Sequence, residues 1–139
     1  MPYTNYLDQQ IQRLLFSNTA YSIPATWYVG LSTTTPSQGA SPNFTEPSGN
    51  AYARVAVTNN GTNWTALGSP PATGFTMQNG TVITFASATG SWGTVTHFGI
   101  FDALTAGNLV GFGQLAAPQS VAAGVAPSFA IGALTVSNN

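Results

Sequence analysis

The chain opens with apolar residues at helical spacing. Leu7, Ile11, Leu14 and Leu15 recur every three or four positions, with Gln9, Gln10, Gln12 and Arg13 between them, and this predicts one amphipathic helix over residues 5–16. Asn5 is placed as its N-cap and Asp8 at the third helical position. A helix of that length is marginal alone, so its stripe is expected to dock on the body or on a partner. After Pro24 the period changes to two: over 26–32, Trp27, Val29 and Leu31 point one way and Tyr28 and Gly30 the other, which predicts a strand.

The rest of the chain reads as short strands separated by turn signals. Residues 33–50, rich in Thr, Ser, Pro and Gly and broken by Pro36, Pro42 and Pro47, are expected to form a long loop or arm. A strand follows over 51–58, with Tyr52, Arg54 and Ala56 on one face, and an irregular stretch over 59–71 holds Trp64. Candidate strands at 75–78 and 81–85 flank Asn79-Gly80, a hairpin signal. Longer strands are expected over 94–102 and 109–115, the second with Gly111 and Gly113 leaving one face bare for a packed aromatic or a close backbone. A connection rich in Gly, Ala and Pro spans 116–127, and 128–136 forms the last strand. Seven β segments and one helix predict a single domain over 1–139, mainly β, an antiparallel β-sandwich or jelly-roll-like barrel with one short N-terminal helix.

Charge is the compositional surprise. Only 4% of the 139 residues are charged, against roughly 25% in ordinary soluble domains. With no Lys and a net charge of -1, nothing clusters to neutralise phosphates or grip anionic lipid, so neither nucleic acid nor membrane is expected as a partner. The N-terminus lacks the basic-then-apolar order of a secretory signal, so export by the general secretory route is not expected. A surface so poor in charge offers little colloidal repulsion. Much of it is therefore expected to be covered in the working state, the alternative being solvation by Thr, Ser, Asn and Gln.

Candidate chemistry is thin. The one histidine, His97, and Asp102 are five apart in one predicted strand, which puts them on opposite faces about 16 Å apart and breaks any triad. His97 is expected to be a hydrogen-bonded wall residue. One His, no Cys and three scattered carboxylates supply too few ligands for zinc or calcium, so no metal, cofactor or catalytic residue is expected, and the chain is read as not an enzyme. Arg54, a lone cation on an apolar strand, needs a carboxylate, and Glu46 and Asp102 are the candidates for a structural ion pair tying the arm or the end of the 94–102 strand to the sheet. Trp27, Trp64 and Trp92, with the helix stripe of Leu7, Ile11, Leu14 and Leu15, are expected in packing or assembly contacts.

Four strings, EPSGNAYARV (46–55), SWGTVTHFGIFD (91–102), GNL (107–109) and FAIGALT (129–135), resemble a family of small structural proteins of tailed bacteriophages, whose members are commonly labelled tail fibre or virion structural proteins. The resemblance extends to the helix and to WYVGLS (27–32), and implies a non-enzymatic virion component. A receptor-binding fibre with its own shaft needs more chain than this. The expected role is therefore a capsid cement or decoration protein that stabilises the shell by non-covalent bridging. It would be made in the host bacterial cytoplasm and sit on the capsid surface of the virion. Its partners would be the major capsid protein and copies of itself, as a homotrimer. The alternative is a tail component, a short tail fibre or tail-tip adaptor, and only there is a glycan a partner, stacked on aromatics such as Trp64.

Overall fold

The computed structural model describes residues 3–39, 42–66 and 76–137. One helix, α1 (Asn5–Phe16), precedes nine strands: β1 (Thr26–Ser32), β2 (Val55–Thr58), β3 (Trp64–Ala66), β4 (Thr76–Asn79), β5 (Ile83–Thr84), β6 (Gly93–Phe101), β7 (Leu109–Val121), β8 (Ser128–Phe129) and β9 (Thr135–Ser137). The expected strand at 75–78 thus begins at Thr76, and Phe75 lies outside the described residues. All named pairings are antiparallel, in sheets ordered β2-β1-β6-β7, β3-β4-β9 and β5-β8. The arrangement is sandwich-like rather than a closed barrel. Among the described residues, no helix is long and apolar enough to cross a membrane.

The main core lies on the inner face of the four-stranded sheet. Val29 and Leu31 of β1 and Val95, Phe98 and Ile100 of β6 meet Trp64, Ile83 and Leu134 from the smaller sheets and their connections. The alternation read in 26–32 is the cause, since every second side chain of a strand faces the same way. Yet Phe98 to Phe101 are buried without a break, because the outer face of the sheet is also covered. There Phe101, Leu109 and Phe112 form a second cluster with Tyr28 and Phe44.

Several expected boundaries differ for identifiable reasons. Thr4, not Asn5, is the N-cap, and it caps without its side chain: Thr4 Oγ1 donates instead to the Leu109 carbonyl at 2.5 Å. The strand expected from residue 51 begins at Val55, because Gly49, Asn50 and Ala51 all have positive φ, which extended backbone forbids. Trp64, expected in an irregular stretch, starts β3. β7 runs on to Val121 through the expected connection: Leu115 to Pro118 bulge opposite Thr96, and pairing resumes at Val95 with Gln119. A bulge on an edge strand is where a proline's missing N–H costs no ladder bond. The last segment splits into β8 and β9 around a turn with Gly132 at φ 79°.

Asn79-Gly80 does not close a hairpin. β4 pairs with β3 and β9, while β5 pairs with β8. The Asn79 side chain is fully buried. It donates to the Thr81 and Ala130 carbonyls, each at 2.9 Å, and accepts from the Leu134 N–H at 2.9 Å. A Cβ on Gly80 would collide with the Thr62 carbonyl oxygen, so the glycine serves close backbone approach. Asn79 therefore knots its own turn to the connection between β8 and β9, and Asn79→Ala strands their polar groups in the core. It is expected to cost ~3 kcal/mol in urea denaturation, and a loss below ~0.5 kcal/mol would show that the knot is dispensable.

Candidate functional site

The densest polar arrangement lies on the outer face, beneath the arm. Gly30 of β1 and Gly99 of β6 stand directly opposite each other, and their missing side chains leave a bare window in the sheet. A Cβ on Gly99 would come within 2.5 Å of the Phe44 ring, and one on Gly30 within 2.9 Å of Glu46 Oε1. The arm drops both side chains into this window. Phe44 meets the edge of Phe101 with ring centroids 5.0 Å apart, a favoured aromatic geometry. At Gly111 the close neighbour is backbone, an antiparallel bridge to Tyr3, whereas the window at Gly30 and Gly99 is a pairing visible only once β1 and β6 are in register.

Glu46 anchors the arm through a bidentate pair with Arg54. Arg54 Nε donates to Glu46 Oε1 at 2.9 Å and Nη2 to Oε2 at 2.8 Å. The Arg54 side chain is only 7% exposed, and its remaining donor nitrogen, Nη1, reaches the Ala103 and Ala106 carbonyls at 2.7 and 2.8 Å. Its guanidinium carbon lies 3.5 Å from the centre of the Phe101 ring. One cation thus binds the arm, the β6–β7 turn and the sheet together. A planar fork with fixed donors suits this task, whereas an ammonium would serve one partner at a time.

Tyr52 completes the node. Its hydroxyl donates to Glu46 Oε1 at 2.7 Å and accepts the Leu31 N–H at 2.9 Å. Burial pushes this hydroxyl far above its ordinary range, and donation to Glu46 pushes the same way. Asp102, the other expected carboxylate partner, takes no part in the ion pair. It closes its own turn, accepting from the Asn108 backbone N–H at 2.6 Å and side-chain amide at 2.9 Å. A local partner six residues away satisfies it, which leaves the Arg54 fork to Glu46.

The arm itself is folded back on the sheet. Thr33 N–H donates to the Thr45 carbonyl, Ser37 N–H to the Pro42 carbonyl, and Thr45 N–H to Ser32 Oγ. Gln38 ties it to the N-terminus, accepting at its carbonyl from the Asn5 N–H and donating through its side chain to the Tyr3 carbonyl.

The other expected residues fall apart in space. Trp92 is buried, with its indole N–H on the Asn50 carbonyl at 2.9 Å. Trp64 is buried with an unpartnered indole N–H, and Trp27 is half-buried. Trp27 and Trp64 both line an apolar recess beneath α1. His97 is buried beside Thr96, its Nδ1 2.8 Å from Thr96 Oγ1, and burial lowers its pKa. Among the described residues, no group of three His, Cys, Asp or Glu is placed to hold a metal ion. In α1 the docking expected for the whole stripe covers only its start. Leu7 packs on the core and Ile11 is half-buried, while Leu14 and Leu15 are exposed.

A family model described as Podophage GP4 fiber I protein gp80 matches residues 2–137. No curated protein matches the chain.

The clamp and the histidine each make a measurable claim. Arg54→Met leaves Glu46 with only the Tyr52 hydroxyl as donor and two turn carbonyls without the guanidinium, and is expected to cost about 3 kcal/mol in chemical denaturation. Arg54→Lys should recover only part of that, and a lysine variant as stable as the parent would contradict the fork. For His97, the unfolded chain binds its proton near pH 6.5 and the folded chain only at lower pH. Its contribution is therefore complete above that point and lost as acid is added. His97→Gln should flatten the stability profile between pH 7 and 5, which a parent profile already flat there would refute.

Proposed function

The chain belongs to the podophage GP4 fiber I protein gp80 family, and from that membership we propose that it is a subunit of the tail fibre apparatus of the virion, acting mechanically and without catalysis. The observation that carries this reading is the extent of the match. It runs over residues 2–137, so the fibre description attaches to this β body as a whole and not to a fragment of it.

The placement of the arm favours the tail over the capsid-cement role expected from sequence. A cement protein bridges its neighbours with segments free to reach across them. Here the arm is clamped to its own sheet by Glu46 and Arg54, and residues 116–121 of the expected connection are strand. The arm and the first part of that connection are thus occupied within the subunit, while the end of α1 stays free. Three of the five charged groups are also engaged within the subunit: Glu46 and Arg54 satisfy each other, and Asp102 satisfies a turn. What remains outside is a neutral surface suited to contact with other protein.

Immunogold labelling of purified virions, together with quantitative mass spectrometry against the major capsid protein, tests the placement. Gold is expected on the tail, at tail stoichiometry. Labelling spread over the head, at copy numbers near parity with the shell protein, would restore the cement reading.

A further inference from the structure

The helix α1 is anchored at one end only. Tyr6 and Leu7 pack on the core, and the preceding Thr4 N–H is held by the Val110 carbonyl at 3.0 Å. Toward the other end the apolar residues emerge: Leu14, Leu15 and Phe16 are 44, 67 and 85% exposed. Under the anchored end lies an apolar recess of about 210 Å³ lined by Leu7, Trp27, Trp64, Met77 and Val110, with Asn59 as a polar member. Leu7 and Leu15 sit eight residues apart on one stripe, which at 1.5 Å per residue is about 12 Å. One helix therefore carries a protruding apolar end and the wall of an apolar recess.

We propose that a second copy of this chain seats the Leu14 to Phe16 end of its helix in this recess, and that two copies do so reciprocally about a two-fold axis with their α1 helices antiparallel. That symmetry brings each free end to the other's anchored end, so a single patch is self-complementary. The areas fit. Taking ~100 Å² for a fully exposed apolar side chain, the three residues present on the order of 200 Å² per copy. Two ends bury about 400 Å², so the ~1,000 Å² of a lasting contact draws the other ~600 Å² from the recesses and from the polar faces of the two antiparallel helices.

The charges fit as well. Residues 14–45 carry no Asp, Glu, Lys, Arg or His, and none of these lines the recess, so seating one in the other desolvates no ion. Another protein would have to bring such a neutral knob, whereas a second copy has one by construction. The proposal stands independently of where the protein sits in the virion.

The chain contains no cysteine, so paired cysteine variants report the contact without background. Leu15→Cys and Asn59→Cys chains, mixed under mild oxidation, are expected to yield a covalent dimer joining the two variants, with neither forming one alone. Light scattering of the parent should show the dimer at high micromolar concentration, and Leu15→Asp should abolish it. Leu15 is exposed, so that variant is expected to keep the near-ultraviolet dichroism of the buried Trp92. A parent chain monomeric at that concentration would overturn the proposal. So would failure of the mixed product, or a Leu15→Cys disulfide with itself in its place.

Discussion

The outer half of this molecule hangs from one buried guanidinium. Arg54 sits in a sheet face that could have been covered with apolar side chains, and burying a cation there is costly unless every donor is used. All of its donor nitrogens are engaged: Nε and Nη2 on Glu46, Nη1 on two carbonyls of the β6–β7 turn. The Phe101 ring meanwhile covers the plane of the guanidinium. The consequence is geometric. An arm that approaches from one side and a turn that approaches from another must both be in place before the cation is satisfied, so the two are locked together with the sheet. A buried ion pair is a poor source of net stability, but it punishes every arrangement that leaves it open. In a chain with few other directional ionic contacts, this node selects the arm's position.

The window that admits the arm is the second half of the same device. Gly30 and Gly99 are unremarkable singly, and a glycine inside a strand weakens it. Placed opposite each other, they open a slot that Phe44 and Glu46 fill, and the backbone cost is returned as packing against Phe101. Buried on both faces, β6 becomes the central strand of the molecule, although its sequence differs little from that of an ordinary half-exposed strand.

What could be read from the sequence follows the range of the interactions involved. The helix at 5–16 and the strand at 26–32 were legible to the residue, because their periods are local. Glu46 as a candidate partner for Arg54 was legible by elimination, since a chain with three carboxylates leaves few choices. The strand start at Val55, the bulge that carries β7 past Pro118 and the failure of Asn79-Gly80 to make a hairpin were not. The first is decided by left-handed backbone at Gly49, Asn50 and Ala51, and the other two by a distant partner: a register in which Thr96 faces four residues, and an Asn79 side chain that reaches Leu134. The glycine window was invisible for the same reason, as it belongs to neither strand alone.

These features bear on why so few ionisable groups suffice. An ordinary domain keeps itself soluble and monomeric with a mixed, charged exterior. Here the well-placed charges are spent on the interior, and the sheet edge at β7 is blunted by a bulge and a proline rather than by lysines. Strand-to-strand aggregation is thereby discouraged by shape, while the neutral surface stays open to specific apolar contact. The exposed end of α1 is the exception to this restraint: its stripe continues past the body that should cover it. On the proposed reading, a subunit blunted at its edge yet apolar at one projecting tip would join other protein at a defined place, which is the mechanical requirement of a fibre component.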